Sequence, residues 1–243
     1  MLILRSLSRQ EFKCRRAALS YNGCPDNKNI FYIFFFQFFT VFLFYRIWFG
    51  RNGKRLGSNG NETNSVDLYE IMMTIQEHLF LQDVPGVKEH FWNMFIMDAL
   101  IGNTDRNNSN WGIILRKDGS KEIAPVYDNG NCLNSKWDDE KMRTVMNDAD
   151  KMEAEAYKAR RCIFELQGKR VNPYHIIESR EYPECSEAAY RLGPKIGNNM
   201  DKIQTMIKEI PILSEMQKRF FTSMIEYRYE KVLLECIKSD CAH

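Results

Sequence analysis

Three oxygen-bearing side chains stand at spacings that suit phosphoryl transfer: Asp105, Asn110 five residues on, and Asp128 just before Asn129-Gly130. Moving a γ-phosphoryl group needs one carboxylate to orient the attacking hydroxyl and take its proton. It also needs a carboxylate and an amide oxygen to hold magnesium against the phosphates. A D-x-x-x-x-N loop, a hairpin and an Asp beside a glycine supply that set. Here the pieces read D-R-N-N-S-N and Y-D-N-G. Asp and Asn are also ordinary turn and cap formers, so each fragment alone reads more readily as loop chemistry. The hairpin between them makes the combination specific. No D-x-D-x-D-G run exists, which excludes a calcium-type loop, and a metal-assisted hydrolase would need further ligands.

The elements around these residues must bring them together. Ser65 can cap a helix from Val66 to about Leu81, with Leu68, Ile71, Met72, Ile75 and Leu79 as its apolar stripe. Pro85-Gly86 breaks it. A second helix spans Val87 to Ile101, with Phe91, Met94, Phe95 and Leu100 inward, and Gly102 ends it. A polar loop follows, then strands WGIILR and EIAPVY about a turn that carries Asp118-Gly119. A hairpin returns the chain to its start, so Asp105, Asn110 and Asp128 can converge at one end of it. From about Trp137 onward the chain reads as mostly helical. Asn172-Pro173 opens one helix, Asn198 to Ile210 forms another, and Ser214 to Ile237 the last. The fold class is therefore mainly α with a small β-hairpin.

Secondary candidates carry two readings each. Asp98, seven residues before Asp105, either hydrogen-bonds the loop as a support or sits half-exposed on its helix. Arg106 either pairs with a carboxylate or phosphate or is a solvated side chain. Trp111 reads as packing beneath the hairpin, with nucleotide binding as the alternative. His78, His90 and His175 lack ligand spacing. The charge-rich stretch from Trp137 to Gly168 reads as a solvated helix face, with a substrate-docking segment as the alternative.

Residues 1–58 differ in composition from the rest. Positions 31–49, FYIFFFQFFTVFLFYRIWF, hold nine of the sixteen phenylalanines. Three readings stay open: a membrane anchor over Ile30–Phe49, somewhat short of the usual ~20 residues; a buried strand or helix of a small lobe; and a degenerate or mis-started reading frame. Basic residues flank the run on both sides, so charge sets no orientation. Arg51 to Ser65 is a Gly/Asn/Ser-rich linker.

Bulk properties fit one or two globular domains: 243 residues, 44% hydrophobic, 27% charged, net charge +2. Near-neutrality points to no nucleic-acid partner. Seven scattered cysteines without a CxxC pair fit a reducing cytoplasm better than a disulfide framework or zinc site.

The stretch from Phe91 to Cys132, FWNMFIMDALIGNTDRNNSNWGIIL…IAPVYDNGNC, resembles the catalytic core of HipA-like serine/threonine kinases, in particular their CtkA-like branch. The likeness extends more loosely from about Asn59 to the C-terminus, including FFTSMIEYRYEKVLLE. It implies a kinase-like larger lobe over residues 59–243, helical apart from its hairpin, with Asp105 as catalytic base and Asn110 and Asp128 as magnesium ligands. It also implies ATP as phosphoryl donor and a protein substrate; the cysteine usage and the apolar run give the location as cytoplasmic, or as a cytoplasmic domain on a membrane anchor. The D-R-x-x-x-N-W and D-N-G pattern is similar to type II phosphatidylinositol 4-kinases as well, so a lipid substrate is the competing enzymatic reading. A non-catalytic remnant or nucleotide-binding module is the other. Two departures bear on activity. Asn107 stands where the family commonly has His. Residues 1–58 show no clear phosphate loop or phosphate-gripping lysine, and Lys54 in GRNGKR is the single candidate.

Overall fold

The computed structural model describes residues 66–106, 110–115, 118–158 and 160–235. Residues 1–58 with Lys54 and the Ile30–Phe49 run, and Asn107 in the loop, lie outside these. So does the link from Asn59 to Ser65.

The fold is organised around one helix. The elements in chain order are α1 (Leu68–Glu77), α2 (Leu79–Gln82), α3 (Val87–Ile101), β1 (Ile113–Leu115), β2 (Lys121–Ile123), α4 (Asp139–Met146), α5 (Ala149–Glu153), β3 (Glu165–Leu166), β4 (Lys169–Arg170), α6 (Pro173–Ser179), α7 (Pro183–Asn198), α8 (Met200–Lys208) and α9 (Glu215–Arg228). Helices α5 and α9 each run on into a π-helical turn, Ala154–Lys158 and Tyr229–Leu233. Helix α3 is apolar around nearly its whole circumference, and Phe91, Trp92, Ile96 and Leu100 are fully buried. Such a helix must be covered on all sides. Helix α7 packs along most of its length, with α1, α6 and α9 closing the remainder. Burying each of these large side chains contributes roughly 1.5–3 kcal/mol. Phe91 makes edge contacts with Trp111 and Phe164, at centroid distances of 5.7 and 5.6 Å, and so ties the helix to the base of the hairpin.

Local chemistry moves several boundaries from those expected of the sequence alone. Helix α1 starts at Leu68, because Asp67 accepts from the amides of Tyr69 and Glu70 while the carbonyl of Val66 is taken by Glu165. It breaks at His78, whose backbone is extended and whose ring accepts from the amide of Phe80, restarting the chain as α2. Strand β1 pairs with β2 antiparallel with Leu115 opposite Lys121, so the connection is longer than a two-residue turn. Gly119 takes the left-handed conformation there, and Asp118 accepts from Ser120. A second hairpin, β3–β4, was not apparent among the helical signals. It turns at Gln167 and Gly168, both with positive φ. The helix expected over 198–210 is present as α8, Met200–Lys208, and α7 ends just before it at Asn198. The last helix begins at a Ser214–Gln217 capping box, and its π turn then rotates the stripe so that Val232 and Leu233 face inward.

Candidate active site

Helix α3 ends in a Schellman arrangement: the amide of Gly102 bonds the carbonyl of Ala99, and that of Asn103 bonds the carbonyl of Asp98. Gly102 is required twice over. Its φ is +64°, and a Cβ there would lie 2.7 Å from both terminal guanidinium nitrogens of Arg228. Arg228 is itself fully buried and donates to the carbonyls of Ala156 and Leu100, so two helix ends meet on it. Arg160 adds a bond to Asn134 at 2.9 Å and one to the carbonyl of Gly102. Burial, and then Arg228, pull its pKa down to about 10.

From this fixed point the loop runs into the hairpin, and Arg106 organises it. A guanidinium has five N–H donors. In Arg106 all five are used: Nε and Nη2 on the Asp98 carboxylate at 2.7 and 2.9 Å, Nη1 on the carbonyls of Asn110 (2.9 Å) and Tyr127, and Nη2 also on the side-chain oxygen of Asn129. Arg106 is 1% exposed. Burial disfavours its charge, but Asp98, its hydrogen bonds and then Asp128 outweigh that and raise its pKa. The loop entering β1 and the segment leaving β2 are thus bound to one side chain. Asn103 completes the support, donating to Asp98 at 3.0 Å and accepting from the amide of Asp105 at 3.1 Å.

The three residues singled out from the sequence lie around this centre. Asp105 is half-buried, and its Oδ2 accepts from Asn131 at 2.9 Å. Asn110 is buried and donates through Nδ2 to the carbonyl of Asp105 at 2.7 Å, which turns the amide oxygen to the other side of the group. Asp128 is exposed and left-handed, with φ +55°. A non-glycine residue is strained there, and such strain concentrates at functional turns. With Tyr127 held by Arg106 and Val126 buried, the chain must reverse at Asp128, presenting its carboxylate to solvent. Asp98 and Arg106 are buried and paired, which sets aside their solvated readings. Trp111 packs against the core, and its carbonyl accepts from Tyr127.

Asn129, Asn131, Asn134, Arg160 and Arg228 escaped the sequence reading. The asparagines look like turn residues, and the arginines sit in charge-rich or helical context with nothing to mark them as buried. The Cys132 thiol is pushed up to about 12, by burial and then by Asp98, so it is an inert neighbour of the site rather than a nucleophile.

The oxygen-only donors here, carboxylate and amide, suit magnesium. Among the described residues no three His, Cys, Asp or Glu side chains gather as a metal cluster. Among the described residues, too, no helix is long and apolar enough to cross a membrane.

No protein-family model matches the chain. It is 35% identical over 182 residues to the serine/threonine-protein kinase CtkA of Helicobacter pylori, an alignment covering 73% of this chain and 54% of that protein. The chain therefore spans about half the length of the curated relative it matches. The crystal structure of a Helicobacter pylori proinflammatory kinase CtkA superposes with a TM-score of 0.65 and 30% identity, covering 72% of this chain and 61% of that one. In sequence and in fold alike, this mainly helical chain is CtkA-like.

Proposed function

We propose that residues 59–243 form the larger lobe of a HipA-like, CtkA-like kinase that transfers the γ-phosphoryl group of ATP to a Ser or Thr hydroxyl of a protein. The observation that carries this reading is the five-donor Arg106 centre, which fixes the Asp105 loop and the Asp128 turn to each other. Asp105 orients the acceptor hydroxyl and takes its proton as the bond to phosphorus forms. Asn110 and Asp128 are the residues that would hold magnesium, which supplies charge neutralisation on the phosphates. Rigid support from Asp98, Asn103 and Arg106 keeps these groups in place without reorganisation. Identity to a protein named as a serine/threonine kinase supports protein over lipid as the acceptor.

Calorimetric titration with ATP, with and without magnesium, together with a phosphoryl-transfer assay, tests the assignment. Binding is expected to need magnesium, and transfer is expected to vanish in Asp105→Ala and Asp128→Ala. Transfer at the parent rate in either variant overturns it. A second reading, nucleotide binding with little turnover, is favoured by the lack of a recognisable phosphate loop in residues 1–58. Magnesium-dependent ATP binding without transfer is its signature.

A further inference from the structure

Asn131 has no role in the reading above, yet its side chain hydrogen-bonds the proposed base. Its Nδ2 donates to Asp105 Oδ2 at 2.9 Å across 26 residues of sequence. We propose that Asn131 is a positioning residue for the reaction: it fixes the rotation of the Asp105 carboxylate and couples it to the turn that carries Asp128. This rests on the assignment of Asp105 as base.

The segment bearing Asn131 is pinned on both sides. On one side the Asn129 side chain is bound by Arg106. On the other, the amide of Leu133 bonds the carbonyl of Ile101 at 2.8 Å, and Asn134 is bound by Arg160. Ser135 closes the turn onto the carbonyl of Gly130 at 2.9 Å. Leu133 and Asn134 are both left-handed, with φ of 51° and 54°. A short segment held at this many points has little freedom to move Asn131, so its amide is a rigid donor rather than an adaptable one. A carboxylate that must meet a hydroxyl in line with phosphorus loses rate when its rotation is free, even if everything else binds normally. The effect of Asn131 therefore belongs on the chemical step and not on nucleotide affinity.

The test uses the full chain and [γ-³²P]ATP with magnesium, reading label transferred to protein or released to water. The parent, Asp105→Asn, Asn131→Ala and the double variant are compared. Asn131→Leu, which keeps the shape and removes the donor, serves if the alanine variant folds poorly, and Asn131→Gln restores an amide. Asn131→Ala is expected to lower kcat about tenfold or more with the KM for ATP within about twofold, with partial recovery in Asn131→Gln. In the Asp105→Asn background the same change is expected to have no further effect, because the two side chains act as one unit. Asp105-dependent turnover that is equal in Asn131→Ala, or a raised KM with kcat intact, overturns this proposal alone. Turnover that does not depend on Asp105, or no turnover at all, overturns the base assignment and this proposal with it.

Discussion

The carboxylate of Asp98 takes two parallel hydrogen bonds from Arg106, 2.7 Å from Nε and 2.9 Å from Nη2, in a pair that is almost wholly buried. Forked geometry of this kind is available to arginine and not to lysine. It leaves the three remaining donors of Arg106 aimed at Asn110, Tyr127 and Asn129. One ion pair, between the last turns of α3 and the loop that follows, thereby holds both halves of the site.

Removing either partner leaves a buried charge without compensation. Asp98→Ala or Arg106→Ala is expected to cost about 3–5 kcal/mol of folding stability. Arg106→Lys should recover only part of that, since an ammonium cannot reach the five acceptors at once. Urea unfolding monitored by tryptophan fluorescence measures both, and an unchanged midpoint in Asp98→Ala would show that the pair does not hold the loop.

Gly102 offers a sharper steric test. Gly102→Ala puts a Cβ in a left-handed residue and against the Arg228 guanidinium. A loss of about 2 kcal/mol or more is expected from strain and displaced hydrogen bonds. Gly119→Ala, where open space surrounds the Cβ position, carries the backbone strain without the collision and should cost less. Thermal unfolding of the two variants side by side separates the contributions.

His90 makes stability depend on pH. Burial, and then the charge of Arg106, lower its pKa from 6.5 to about 4. The folded state holds it neutral while the unfolded state takes a proton below 6.5, so unfolding is favoured as pH falls. The loss grows as pH drops from 6.5 to about 4 and then levels off. Its full size is about 3 kcal/mol. Unfolding midpoints across that window should slope for the parent and flatten for His90→Gln, against the separate titration of the carboxylates.

At Asp128 the prediction concerns the metal rather than the fold. The residue is exposed and faces solvent, so Asp128→Asn should change stability little. Its expected effect is a loss of at least tenfold in magnesium-dependent ATP affinity, read by calorimetry, because an amide supplies a weaker oxygen to the cation. Equal magnesium dependence in parent and variant removes Asp128 from the ligand set.

Much of the frame is legible in the residues alone. The apolar run of α3 ended by Gly102, the Asn172-Pro173 start and the Ser214 cap each carry local signals, and the structure places elements at all three. Periodicity and capping act over one or two turns, so a sequence window contains them. The break at His78 and the β3–β4 hairpin needed more. Each depends on which partner wins a backbone group, as when Glu165 takes the carbonyl of Val66.

The site divides in the same way. Residue types and spacing determined that Asp105, Asn110 and Asp128 could share one chemistry, because a hairpin returns the chain to its starting end. What joins them was decided only in three dimensions. Arg106 reads as an ordinary charged loop residue, and Asn129 and Asn131 as turn formers, until burial leaves each polar group in need of a partner. Those partners lie up to 26 residues away. Hydrogen-bond satisfaction in a closed interior is a property of the whole packed chain, and no local window of sequence contains it.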